Sequence, residues 1–303
     1  MSGSTRALPP TELSAAQLSR RQAGRTFWAR AQHVFRRNRT ALMGGVIIVI
    51  FVLVAIFAGA LAPYDPNAIV LGDRFQSPNG IHLFGTDNLG RDILSRTVHG
   101  ARISLWVGIL TVSLAMLIGV PIGLLAGYRR GWMDAFFMRL VDVFLAFPVI
   151  ILAIAIVAVR GPSLANVMLA LVAVYWTTYA RVTRGVTLVL REEDYMLAAR
   201  SIGVPTARVM WRHLLPNALA PILVIATLGL GNAILAEAAL SFLGLGIQPP
   251  AASWGSMLNF GMQFLRDAPW LTLFPGMAIF LTVLGFNLLG DGLRDAMDPR
   301  LRQ

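Results

Sequence analysis

The stretch Ala41-Leu-Met-Gly-Gly-Val-Ile-Ile-Val-Ile-Phe-Val-Leu-Val-Ala-Ile-Phe-Ala-Gly-Ala-Leu-Ala62 runs for 22 residues without a charge. At 1.5 Å of rise per residue, a helix of this length reaches roughly 33 Å, enough for a hydrocarbon core of about 30 Å. Preceding basic residues and the small residues at 58–62 imitate a secretory signal and its cleavage site. A signal h-region is only about 7–15 residues long, and here 40 residues precede the run, so it reads as an uncleaved anchor. Five further apolar blocks follow, at about Ile103–Gly127, Ala135–Val159, Leu164–Ala180, Ala218–Leu245 and Trp270–Leu289. Lipid offers the backbone no hydrogen-bond partner, so each block is expected to be helical; Pro121, Pro148, Pro221 and Pro275 are tolerable where neighbouring helices satisfy the freed carbonyls. The expected fold is an all-α integral membrane protein with six transmembrane helices.

Composition agrees with this. Of 303 residues, 56% are apolar and 14% charged, against about 45–50% and 25% in a soluble domain. With no Cys, disulfides, thiolate metal sites and Cys nucleophiles are excluded. All 26 basic residues are Arg. A P-loop needs a Lys to reach the β/γ-phosphates, so that ATPase site is not on this chain. Arginine placement sets the orientation. With the N-terminus in the cytoplasm, 20 arginines fall inside and 6 outside, which puts both termini inside. The net charge of +11 thereby reads as positive-inside asymmetry, not as a nucleic-acid surface.

Two segments outside the apolar blocks are too long for simple connectors. In the cytoplasmic segment 181–217, Glu192, Glu193 and Asp194 favour a helix start and Gly203-Val204-Pro205 a sharp stop. This predicts a short helix over 194–202 and a second helix from about Thr206. Ala198 and Ala199 keep its surface low for a close approach; the plainer reading is an amphipathic helix on the lipid surface. In the external segment 63–102, Thr86 or Asp87 is placed to N-cap a helix with Leu89, Ile93, Leu94 and Val98 on one face.

Ala198-Ala199, three residues, Gly203, and then Leu215-Pro216 resemble the cytoplasmic loop motif of ABC importer membrane subunits, with Leu197 where the motif has Glu and His213 where it has Ile. The strings 84–105, 236–246 and 287–300 resemble the peptide and nickel branch of these importers, and with the anchor span they look like its second permease. The resemblance implies a type I ABC importer permease fold in a bacterial inner membrane. It divides the chain into a basic segment 1–40, an anchor and external loop 41–101, a permease domain 102–291 and a tail 292–303. It also implies a homologous second permease, two ABC ATPases that use ATP and Mg, and an external binding protein, with short peptides as substrate and nickel or glutathione-like compounds as relatives. The chain itself would be no enzyme and bind no cofactor. Asp194, Tyr195, Ala198, Ala199, Arg200, Ile202, Gly203 and Val204 are the expected ATPase-coupling residues. Asp87, Arg91 and Asp92 are candidates for an external contact.

Other residues carry narrower expectations. Gly119, Gly123 and Gly127 form a close-packing face, within the chain or at the partner permease. Glu237, with Asn232, is a candidate for the translocation path or a gate, since intramembrane carboxylates are functional by default; structural hydrogen bonding is the alternative. Arg139 and Asp142 suggest a helix ion pair. His33, His82, His99 and His213 are too scattered for a four-His metal site and are expected at surfaces or interfaces. An ion-coupled secondary transporter would need several polar groups at broken helices, and only Glu237 and a few Asn, Ser and Thr qualify. A membrane-embedded hydrolase is weaker still, with no nucleophile elbow or paired carboxylates.

Overall fold

The computed structural model describes residues 38–297, except for the side chains of 200, 296 and 297. Among these residues the chain is helical, with a single isolated bridge between Thr86 and Asp92. Asn38 caps α1 (Arg39–Ile56), its carboxamide accepting from the Thr40 and Ala41 amides. A break at Phe57 and a short α2 (Ala58–Leu61) end the first apolar block. Leu42, Met43, Val46, Val49, Ile50 and Leu53 of α1 stay exposed, as a lipid-facing helix requires. Its small residues turn inward: a Cβ on Gly44 would lie 2.6 Å from the Leu289 amide of the last helix.

Helix α3 (Ile93–Arg129) has 37 residues and is about 55 Å long. It packs along α6 (Leu164–Leu190). Gly119, Gly123 and Gly127 face that helix: a Cβ there would meet the Cβ atoms of Tyr179 at 2.8 Å, Thr183 at 2.7 Å and Thr187 at 2.8 Å. This glycine face is thus filled within the chain.

The third apolar block does not form one straight helix. It splits into α4 (Gly131–Leu145) and α5 (Val149–Arg160), bent by 85°. Pro148 has no N–H to donate and disfavours helical geometry at Phe147, which ends the first helix there. The fourth block lies within α6, which continues ten residues beyond Ala180 into the polar segment. Among the described residues four helices are long and apolar enough to cross a membrane, or five if the bent pair is one span; α6 is not among them, since Arg181, Arg184 and its hydroxyl-bearing residues lower its mean hydropathy.

After α7 (Asp194–Ser201) and α8 (Thr206–Val209), a π turn at Met210–Leu214 leads into α9 (Leu215–Phe242). Then come α10 (Trp254–Met262) and α11 (Trp270–Met297). The wholly buried Trp254 ties three elements together. It donates from Nε1 to the Thr97 carbonyl of α3 at 2.9 Å and takes Phe51 of α1 edge-on at 5.7 Å. Trp270 donates from Nε1 to the Thr86 carbonyl, and Phe84 stacks on Phe274. Loop 63–92, the α3 N-terminus, α10 and the α11 N-terminus therefore share one end of the bundle. The other end of α3 meets Arg191, whose guanidinium donates to the Tyr128 carbonyl. Segment 191–205 follows directly, so it lies at the opposite end.

Candidate functional site

The segment 191–205 has a built geometry. Helix α7 closes with the Ile202 amide donating to the Ala198 carbonyl and the Val204 amide to the Ala199 carbonyl, while Gly203 takes φ +69°. The Val204 bond spans six residues, as in a Schellman stop with glycine at C′. Met196 is fully buried, in one core cluster with Val209, Leu214 and Val141, and Val204 packs on that cluster. One face of α7 is thus fixed to the bundle. The other presents Asp194, Tyr195, Leu197, Ala198 and Ile202, the last 79% exposed. Partial burial, with the Glu193 carboxylate adding to it, raises the Tyr195 phenol, which stays a hydrogen-bond donor at physiological pH.

The two alanines, alike in sequence, separate here. Ala198 is exposed, whereas Ala199 is 7% exposed and faces the chain's own core, so only Ala198 offers a low surface to another protein. The side chain of Arg200 lies outside the described residues. The segment is braced from behind by ion pairs between helices. Arg184 grips Asp134 with two hydrogen bonds, Nη2 to Oδ2 at 2.7 Å, and Arg181 pairs with Asp142. Asp142 therefore serves α6, not Arg139 on its own helix as the i, i+3 spacing suggests. Sequence spacing carries no signal for pairs 39 and 50 residues apart.

At the other end, the cap of α3 is Asp92, not Thr86 or Asp87. Its Oδ2 accepts from the Ser95 amide and hydroxyl, both at 2.7 Å. Asp87 instead closes a turn, Oδ1 accepting from the Leu89 and Arg91 amides and Oδ2 from Arg91 Nε at 2.7 Å. The turn, with Gly90 at φ +74°, delays the helix to Ile93. His82 is buried within the chain, where the sequence suggests a surface or interfacial position: its Nδ1 lies 3.0 Å from Asp92 Oδ1 and its ring 5.0 Å from that of Tyr64. His33 lies outside the described residues. Asp87 and Arg91 border a cavity of about 140 Å³ together with Arg96, a residue the sequence pattern did not single out; Asp92 is not in its wall.

Glu237 and Asn232 are not brought together. Glu237 is fully buried and accepts from Ser241 Oγ at 2.6 Å, one turn along α9. Asn232 is on the exposed side of the same helix, where its backbone carbonyl accepts from the Tyr175 hydroxyl. Glu237 Oε1 is thus engaged within its own helix, while its buried Oε2 has no hydrogen-bond partner among the described residues; of the two, only Asn232 reaches a surface of the chain.

Residues 119–303 match the family described as binding-protein-dependent transport system inner membrane component, and the chain belongs to that family. Residues 26–78 match the N-terminal TM domain of oligopeptide transport permease C. The chain is 48% identical to a dipeptide transport system permease protein of Alkalihalophilus pseudofirmus, covering 91% of this chain and 90% of that one. It is 46% identical to a glutathione transport system permease protein of Pectobacterium atrosepticum, over 92% and 91%. A putative peptide transport system permease protein of Brucella abortus is 48% identical over 88% and 90%. The MetNI methionine ABC transporter in inward-facing form shares the fold, with a TM-score of 0.54 at 20% identity, covering 68% of this chain and 98% of that one. The protein is a multi-pass inner-membrane permease of an ABC importer, not an enzyme.

Proposed function

We propose that the chain forms half of the translocation path of an ATP-driven importer of short peptides, crossing the membrane six times with both termini in the cytoplasm. The sixth crossing is α6 up to about Ala180, shielded by its neighbours. A homologous permease supplies the other half of the path, and Asn232 belongs to the surface that faces it. Two separate ATPases that use ATP and Mg dock from the cytoplasm, one of them on the exposed face of α7, and an external binding protein delivers substrate at the end that carries Asp87 and Arg91. In this reading 1–40 is a cytoplasmic segment, 41–101 the anchor and external loop, 102–291 the permease domain and 292–303 a cytoplasmic tail. Closure of the ATPases pushes α7, whose buried face and Schellman stop make it a rigid lever, and the bundle switches from inward to outward access.

The observation that carries the substrate class is the 48% identity, over nearly the full length, to a dipeptide permease. The similarly close glutathione relative favours a second reading, a γ-linked peptide-like substrate in the same path. Uptake of labelled dipeptides and of glutathione by vesicles holding the full importer separates the two. Uptake that persists without the ATPase subunits would instead indicate an ion-coupled carrier and overturn the proposal.

A further inference from the structure

The cavity at the Asp87 end lies between turn 86–91, the first turn of α3 and the segment 241–260. Two guanidinium groups and one carboxylate border it. Arg91 is 9% exposed and Arg96 7%, so both charges are nine-tenths buried. Asp87 is fully engaged by Arg91 Nε and the two turn amides. Arg96 forms no ion pair among the described residues; its Nη1 donates to the Pro66 carbonyl at 2.9 Å. Asp92 is taken up by Ser95 and His82 and stands outside the wall. The neutral polar groups of the wall are also occupied. Gln248 donates to the Gly246 carbonyl, Asn259 to the Phe242 carbonyl and Ser256 to the Ser253 carbonyl. The cavity therefore holds one positive charge in excess; burial and then Arg91 act against the Arg96 charge, and Asp87 offsets them in part.

A buried guanidinium with no carboxylate hydrogen-bonded to it is unfavourable, and an arriving carboxylate would relieve it. Guanidinium is the group best shaped to take a carboxylate on two hydrogen bonds. Size decides what carries the carboxylate. A cavity of about 150 Å³ accepts one benzene-sized group, so about 140 Å³ accommodates a single acidic side chain but not a peptide. Ile247, Pro249 and Met257 supply apolar wall for its methylene stem.

The geometry points to a docking socket: the cavity takes an Asp or Glu side chain presented by the external binding protein, and Arg96 is the residue it pairs with. This inference rests on the importer reading above. The test uses the full importer in lipid nanodiscs and its substrate-loaded binding protein, with Kd measured across a salt series. Arg96→Gln should raise Kd at least about tenfold, and Arg96→Lys less. The parent's Kd should rise steeply between about 50 and about 300 mM salt, and that of Arg96→Gln should rise much less. Equal docking by parent and Arg96→Gln overturns the socket. Unchanged docking with reduced uptake also overturns it, since the carboxylate would then come from substrate. A parent importer that binds no binding protein refutes the importer reading itself. If Arg96→Gln fails to assemble, Gln248→Glu, which adds a like charge at the exposed rim, should weaken docking; docking unaffected by that change overturns the socket.

Discussion

Gly203 holds φ +69°, and a Cβ built there would meet nothing within 4 Å, so a side chain at this position is opposed by the backbone alone. For a β-branched residue the left-handed conformation costs about 1–2 kcal/mol, which the short α7 recovers by unwinding its last turn. Gly203→Val should leave membrane insertion and subunit assembly intact while abolishing peptide uptake and the stimulation of ATPase activity by loaded binding protein; Gly203→Asn, which tolerates this conformation, should retain more of both. The neighbouring alanines give a sharper contrast. Ala198→Asp adds a charge to the exposed face and should weaken ATPase binding without lowering the melting temperature of the purified permease pair. Ala199→Asp puts an unpaired charge at a buried position, which costs several kcal/mol, and should lower that temperature before any effect on docking is read. Equal effects of the two substitutions on melting would contradict the orientation of α7.

At the scale of elements, the α3–α6 contact depends on the absence of side chains at three positions. Gly123→Ala places a methyl group 2.7 Å from Thr183 Cβ and must push two long helices apart, which costs about 1–3 kcal/mol. Gly185→Ala, on α6 with open space around it, should instead be neutral or stabilising by up to about 1 kcal/mol, because alanine is the better helix former. Thermal unfolding of the two variants in one detergent checks the sign of each. The glycine spacing was legible in the sequence, but the helix it faces was not, since Tyr179, Thr183 and Thr187 lie 60 residues downstream. The same division holds elsewhere. Local chemistry announced α7 and its stop at Gly203-Val204-Pro205, and Pro148 held the signal for the 85° bend, which a window of average hydropathy passed over. Identical neighbours such as Ala198 and Ala199 gave no sign of which faces inward, because that depends on where α4 and α9 lie. The Arg184–Asp134 brace and the excess charge at Arg96 are likewise products of tertiary placement.

For the whole molecule, the packing of the two ends adds to the arginine asymmetry as an argument for orientation. Trp270 and Trp254 bind the loop 63–92 and the start of α3 to the α10 and α11 region, so residues near 75 and near 250 must lie on one side of the membrane. Arg191 holds segment 191–205 to the far end of α3, about 55 Å away, a distance longer than the hydrocarbon core. With α3 as a membrane span, as proposed above, the two regions face opposite compartments in either orientation, and only the sign is left to charge. The proposed topology assigns 20 of the 26 arginines to the side of the N-terminus and of segment 191–205, and the positive-inside rule then makes that side the cytoplasmic one in this proposal. A reporter fused after residue 75 should read as external and one fused after residue 190 as cytoplasmic. Both readings inverted would leave the packing intact and refute the charge argument. Both reporters on one side would contradict the bundle itself, because α3 would then have to end within the membrane with Arg129 and Arg130 in lipid.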